Sequence, residues 1–224
     1  MFEEIGALID KREQPGSLDR AVELLLELRA KHPEQDIVRG KLAHAYYYKG
    51  HFSPEGTPER ERFFEQGMTH GKEAVTLNPR AVYGNYWYAA NMGSWGLCRG
   101  VMASLKSIDP MHKAMVVVLE ENEQFYFAGP HRVLGRLYHQ APGWPISIGN
   151  KNKAAKHLER AVQLAPSFMH NRLYLSEFYL DSGPKKKARE HLEWMINTPL
   201  HPDHQKEDGE YKEQAQQLMR RHFG

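Results

Sequence analysis

The chain has 224 residues, with 30 Lys and Arg against 28 Asp and Glu, so its net charge of +2 points to no polyanion and no nucleic-acid partner is expected. Hydrophobic residues make up 41% and charged residues 26%, the balance of a globular protein with a sizeable core. A single cysteine, Cys98, excludes an internal disulfide and reads as a buried thiol, and no apolar stretch approaches the roughly 20 residues of a bilayer span. The segment Met1-Phe2-Glu3-Glu4-Ile5 is acidic and amphipathic, unlike a signal peptide. The chain as it stands is therefore expected in the cytoplasm, unless an export signal has been trimmed from it.

The elements repeat in the manner of the tetratricopeptide unit, about 34 residues in two antiparallel helices. Its first helix carries a large–small–aromatic pattern and its second a small–large–small pattern ending in proline. Small residues let the two helices approach, and large ones fill the gaps between hairpins. The first hairpin, about 2–33, keeps only its second helix clearly, through Ala21, Leu25, Leu28 and then Pro33. The second, about 36–79, has Leu42, Ala43 and Tyr46, then Gly67, Gly71, Ala74 and Pro79. Its inter-helix loop ends in Thr57-Pro58, an N-cap followed by the residue best suited to a first helical position. The third, about 82–124, starts on Asn85, Tyr88, Ala89 and Met92. It departs from the pattern at Trp95-Gly96, with an extra helical stretch before Asp109-Pro110 and a weakly matching helix from Met111 to about Glu121.

The fourth hairpin, about 128–166, has Leu134, Gly135 and Tyr138, a stretched loop from Ala141 to Ser147, then Ala154, Leu158, Ala161 and Pro166. The fifth, about 169–200, has Arg172, Leu175, Ser176 and Tyr179, a Gly183-Pro184 turn, then Ala188, Leu192, Met195 and Pro199. A last amphipathic helix, about 207–222, places Tyr211, Ala215, Leu218 and His222 on one face, as a solenoid cap requires. The expected fold is all-α: one tetratricopeptide-like right-handed superhelix over 1–224, with about five hairpins, long inter-helix loops and a C-terminal capping helix. No segment alternates with a strand period.

Catalytic signatures are missing: there is no nucleophile elbow, zinc-protease helix, phosphate loop or dinucleotide fingerprint. A non-enzymatic binding protein is expected, with no cofactor and no metal. His201 and His204 lie in a proline-flanked loop without a helical face to align them as metal ligands. Glu120, Glu121 and Glu123 read as a solvated charged face. What stands out is the expected loops, where aromatics, glycines and polar residues concentrate in three places: Tyr46 to Phe52; Tyr86 to Asn91 with Trp95-Gly96 and Arg99-Gly100; and Gly129 to Arg132 with Pro142 to Pro145.

By helical phase His44, Tyr47, Tyr83, Tyr86, Arg132, Arg136, His139, His170 and Glu177 should face the concave side. Inserted loops on a rigid repeat commonly carry function. A ligand-binding set is therefore expected from Tyr47, Tyr86, Trp87, Asn91, Trp95, Arg99, His131, Arg132 and Trp144. Trp87, Asn91, Trp95, Arg132 and Trp144 would gather around one cavity that takes a ligand with an apolar body and a carboxylate. The plainer alternatives are a scaffold that grips a peptide in its groove, and an Arg132 that is purely structural, paired with Glu120 or Glu177.

The middle of the chain resembles a named family. Tyr48-Lys49-Gly50-His51-Phe52-Ser53-Pro54-Glu55-Gly56, Tyr86-Trp87-Tyr88-Ala89-Ala90-Asn91, Gly129-Pro130-His131-Arg132-Val133-Leu134-Gly135-Arg136-Leu137-Tyr138 and Pro142-Gly143-Trp144-Pro145-Ile146-Ser147-Ile148-Gly149 are similar to segments of the TatT family. This is the T component of TRAP-associated bacterial transporters. The resemblance runs from about residue 40 to 200. It implies a repeat protein with an internal ligand cavity, association with a transporter substrate-binding protein, and a homotrimer in some members. Members are usually exported lipoproteins, so the resemblance implies a periplasmic lipoprotein ectodomain if an export signal was trimmed, whereas the one cysteine here, Cys98, is internal. The C-terminal half also resembles the repeat domain of regulator-of-microtubule-dynamics proteins, through the His131-x-x-x-Gly135-Arg136-x-Tyr138 stretch. The long middle loops fit the transporter component better.

Overall fold

The structure is a computed structural model that describes residues 1–224. It contains eleven helices, and its only β pairing is one isolated bridge between Gly143 and Gly149. In chain order these are α1 (Phe2–Asp10), α2 (Ser17–Lys31), α3 (Asp36–Phe52), α4 (Pro58–Leu77), α5 (Val82–Arg99) and α6 (Val101–Glu121). They continue with α7 (Phe125–Gln140), α8 (Lys151–Leu164), α9 (Met169–Ser182), α10 (Lys185–Asn197) and α11 (Gln205–Phe223). The fold is all-α and of the tetratricopeptide kind: five helical pairs and a final helix. The helices form two compact units, 1–122 and 123–224.

In the first unit α2, α3, α4, α5 and α6 pack successively, and α3 also packs on α5. The small residues act as the repeat requires. A side chain at Gly71 of α4 would come within 2.7 Å of the Tyr88 backbone in α5. One at Gly67 would overlap Asn91 Oδ1. Leu25, Leu42, Phe64, Trp87 and Met115 fill the space between helices and are buried. Helix α1 is a full helix that the sequence pattern leaves unclear; only Ile5 and Ile9 anchor it. Thr57 caps α4, its hydroxyl accepting from Arg60 N–H at 3.3 Å, with Pro58 next in line.

Two expectations for the third hairpin are corrected. The stretch before Asp109-Pro110 and the helix after it are one helix, α6, with Pro110 inside. The connection from α5 is the single residue Gly100, whose φ of 91° reverses the chain at a conformation glycine adopts without strain. The aromatic segments Tyr46–Phe52 and Tyr86–Asn91 accordingly lie on α3 and α5, not in loops. Cys98 is exposed near the end of α5 rather than buried.

In the second unit α7, α8, α9, α10 and α11 pack in sequence, and α11 returns against α9 to cover it, burying Tyr211 and Ala215. Asn150 caps α8, its side-chain oxygen accepting from Lys153 N–H at 3.0 Å. The start of α7 is unusual. Tyr126, Phe127 and Ala128 have φ of 48°, 58° and 59°, a left-handed turn of three residues with side chains ahead of the regular helix. Such a conformation costs about 1–2 kcal/mol per residue.

Candidate functional site

In the first unit the joint between α3 and α5 is aromatic. His44 stacks on Trp87 with ring centroids 3.7 Å apart and 14° between planes. His44 Nδ1 and the Tyr83 hydroxyl share a hydrogen bond of 2.9 Å. Tyr47 and Tyr86 approach the Trp87 ring at 5.2 and 5.0 Å. The Arg12 guanidinium lies over Tyr48 at 4.4 Å, and the Lys41 ammonium over Tyr83 at 5.1 Å. Burial, then the nearby Arg12 and Lys41 cations, hold the His44 imidazole well below the usual histidine range, so it is neutral. Burial, with Asp10 adding to it, pushes the Tyr83 hydroxyl up to about 12.

One turn along α5, the Asn91 amide donates to Ala43 O of α3 at 2.9 Å and to Trp87 O at 2.7 Å. Since Asn91 also touches Gly67, it ties α3, α4 and α5 together. Trp95 follows on the same helix under the Arg99 guanidinium, 5.6 Å away, and Arg99 pairs with Glu61 at 3.0 Å. Tyr47, Tyr86, Trp87 and Asn91 are thus brought together, with Trp95 and Arg99 as a second group. Trp87 is 1% exposed and Asn91 0%, so these two are core side chains. Glu120 and Glu121 both pair with Arg80.

In the second unit the joint between α7 and α9 is polar. Arg132 Nη1 donates to Tyr126 O at 3.4 Å, to Phe127 O at 3.2 Å and to Asn171 Oδ1 at 3.0 Å. The Asn171 amide donates to Phe127 O and to Ala161 O, each at 3.0 Å. The guanidinium also sits 4.9 Å from the Phe168 ring, which stacks on Phe127 at 4.5 Å. The carbonyls of the left-handed turn are therefore gripped by two buried side chains. Arg132 is engaged in this way rather than with Glu120 or Glu177. Glu177 pairs with Arg136 at 2.5 Å, and His139 pairs with Asp181 at 3.0 Å. His170 Nδ1 and the Tyr211 hydroxyl are 3.0 Å apart.

His131 belongs to a separate chain of groups. Its Nε2 meets Glu123 at 3.2 Å, its Nδ1 meets His157 Nδ1 at 3.0 Å, and Arg160 pairs with Glu123 at 2.8 Å. Hydrogen bonds from Arg160, then His131, lower the Glu123 pKa, so this carboxylate has the positioned partners that the sequence did not reveal. Trp144 stands 89% exposed in the loop beyond the C-terminal end of α7, whereas Arg132 is 3% exposed. His201 and His204 stack on each other at 4.9 Å, and no group of three or more His, Cys, Asp or Glu side chains is arranged so that it could hold a metal ion.

Sequence reasoning missed several exposed apolar side chains. Leu97, Val101 and Met102 are 79%, 76% and 69% exposed around the Gly100 turn, and Ile146 is 77% exposed beside Trp144. A glycine or proline turn with two large apolar neighbours is the only signal that could have found them.

Comparison with known proteins settles the family. A crystal structure of a thermophilic TPR protein from Thermus thermophilus superimposes with a TM-score of 0.59 at 17% identity, covering 88% of this chain and 91% of that one. That likeness shows the fold alone. Regulator of microtubule dynamics protein 1 from Bos taurus is 24% identical over 98% of this chain and 71% of its own length. The Pongo abelii protein of the same name is 22% identical over 97% and 71%. The profile of the family "Regulator of microtubule dynamics protein 1-3" matches residues 1–138, ending on the Gly135-Arg136-x-Tyr138 stretch that carries the resemblance. The match covers the N-terminal part rather than the C-terminal half, and it is to the second of the two resembling families, not to the transporter component. The chain belongs to the regulator of microtubule dynamics protein 1-3 family.

Proposed function

We propose that this chain is a non-enzymatic tetratricopeptide scaffold, one repeat domain over residues 1–224, that acts on microtubule dynamics by holding a protein partner. The observation that carries the reading is the family match over residues 1–138, which takes in α1 to α6 and most of α7. Helical hairpins suit this role because stacked repeats offer long, rigid surfaces at little ordering cost. In this reading the more accessible members of the expected set, Tyr47, Trp95, Arg99 and Trp144, touch the partner. The buried ones, Tyr86, Trp87, Asn91, His131 and Arg132, keep the contact surface in shape. Co-sedimentation of the purified chain with stabilised microtubules, beside a tubulin polymerisation assay, tests it. Binding or a changed polymerisation rate supports the reading; neither effect at micromolar protein sinks it.

A second reading keeps a small, partly apolar, anionic ligand, a transporter solute-binding partner and a homotrimer. What favours it is a pocket of about 440 Å³ in the first unit, lined by Arg60, Phe64, Ser94 and Leu97 among others. Arg60 is already committed there, donating to His51 O at 3.2 Å and Ser53 O at 2.7 Å, which lowers its worth to an anion. Native mass spectrometry decides between the two: a retained small molecule and a trimer mass favour the second, a bare chain the first.

A further inference from the structure

The loop between α7 and α8 is held rigid by its own backbone. Gly149 N–H donates to Pro142 O at 2.9 Å, Ile146 N–H to Gly143 O at 3.1 Å, and Asn150 N–H to Tyr138 O at 2.8 Å. The two limbs touch so closely that a side chain at Gly149 would overlap Ala141 O. On this base stand Trp144, 89% exposed, and Ile146, 77% exposed. Trp144 is the most exposed large hydrophobic side chain in the protein. Such side chains gain nothing in water, and a loop that is already ordered loses little entropy when they are buried elsewhere.

Along the chain the loop and the start of α8 carry charge of one sign, and the carboxylate beside them, Asp181 of α9, is taken up by His139 at the end of α7 at 3.0 Å. From Gln140 to Leu158 there is no acidic residue, and Lys151, Lys153 and Lys156 are all exposed or half-buried. None of the three pairs with a carboxylate; Lys153 only leans over the Tyr138 ring at 5.2 Å. The other exposed apolar tip, Leu97 with Val101 and Met102, differs in this respect, because its Arg99 is already paired with Glu61.

We infer that the α7–α8 loop docks the chain on an anionic membrane surface. Trp144 and Ile146 enter the boundary between headgroups and acyl chains, and Lys151, Lys153 and Lys156 lie against anionic headgroups. The shape favours a bilayer over a peptide. Peptides are gripped by grooves, whereas this feature is a knob whose apolar groups point outward. A bilayer interface needs no matching pocket, and it suits indole, which is apolar over its rings and donates through its N–H. Uncommitted lysines beside an apolar tip are the arrangement that binds anionic leaflets. No helix of the chain is long and apolar enough to cross a membrane, and the contact is made by the loop tip and its lysines alone. The inference is independent of the microtubule reading.

The test is sedimentation of the purified full chain with phosphatidylcholine vesicles, with and without phosphatidylserine. Binding is expected only where phosphatidylserine is present, with a blue shift of indole emission that Trp144→Phe abolishes. Trp144→Ser with Ile146→Ser should lower partitioning at least about tenfold, as expected for two large apolar side chains. Replacing the three lysines by Gln should cost about fivefold each. All variants should melt with the wild type, because the altered side chains lie at the surface. No binding to phosphatidylserine vesicles overturns the inference. So does binding that survives both sets of substitutions. Polyglutamate that binds the wild type but not the lysine variant, while vesicle binding ignores Trp144, also overturns it and marks a site for an acidic protein.

Discussion

The two units solve one structural problem with different chemistry. Each must join the first helices of neighbouring hairpins, where side chains from both converge. The α3–α5 joint does so with rings, His44 on Trp87 and Tyr83, and keeps its histidine neutral. The α7–α9 joint does so with ions and amides, Arg132 with Asn171 and Arg136 with Glu177, and with a hydrogen bond between His139, whose pKa burial also lowers, and Asp181. Rings contribute through area removed from water and need no partner of opposite sign. Ions recover only part of what their burial costs. The first joint should therefore be the stiffer, and sensitive to volume. The second should be sensitive to hydrogen-bond geometry and, where exposed, to salt.

The largest effect should come from Trp87→Ala. It removes a side chain that is 1% exposed and touches both helices of the joint. The expected loss is about 3–5 kcal/mol, the range for truncating a buried aromatic residue. Urea unfolding would read it, and a loss under about 1 kcal/mol would mean that the rings are not what joins α3 to α5.

Arg132→Met comes next. It keeps the bulk but strips the Tyr126 and Phe127 carbonyls of a charged donor and leaves Asn171 Oδ1 without that bond. The left-handed turn then loses part of what offsets its strain. We expect a loss of about 2–4 kcal/mol, with increased hydrogen exchange at residues 125–129 before any other segment opens. Loss of partner binding at unchanged stability would instead make Arg132 a contact residue.

The helical periods were legible because the residues that face a neighbouring helix recur locally. Ala21, Leu25 and Leu28 buried on α2, and Ala188, Leu192 and Met195 buried on α10, are readable within four turns of chain. Helix α1 was not, since Ile5 and Ile9 are its only buried residues and give too short a pattern. Pro110 misled because proline usually ends a helix, yet α6 runs through it. The joints were hidden for another reason. His44 finds Tyr83, and Arg132 finds Asn171, across 39 residues in each case. Phase placed His44, Arg136 and Glu177 on first helices, but the pairing across helices depends on packing distances that no local spacing carries.

Acid sharpens the comparison. An unfolded histidine takes its proton near pH 6.5. Folded His44 does not, because burial and then Arg12 and Lys41 oppose the charge. The folded form is thus fully favoured above pH 6.5 and loses stability as pH falls below it, until the depressed folded value is reached. For this one group the slope is at most about 1.4 kcal/mol per pH unit. His70, also lowered chiefly by burial, adds to the slope in the same direction. His44→Phe keeps a ring against Trp87 and should flatten part of the dependence between about pH 5 and about pH 6.5 in urea titrations. An unchanged slope would mean that His44 is protonated in the folded chain.

The smallest effect should come from Glu177→Gln, and its sign is the informative part. The Arg136–Glu177 contact of 2.5 Å looks like a strong ion pair. Yet the Glu177 pKa is raised: burial opposes the carboxylate more than the Arg136 charge and its hydrogen bond favour it. A carboxyl whose folded pKa lies above its unfolded value is a net burden at neutral pH, and the burden fades as pH falls through the folded value. The glutamine side chain would keep an acceptor for Arg136, which retains its place over the Tyr174 ring at 4.4 Å. The substitution should therefore change stability at pH 7 by under about 1 kcal/mol, and towards greater stability. The difference from wild type should shrink in acid as Glu177 takes up its proton. A loss of several kcal/mol on thermal or urea unfolding would mean that the ion pair itself, rather than Arg132 and Asn171, holds α7 to α9. The contrast between a ring-built and an ion-built joint would then be one of equals.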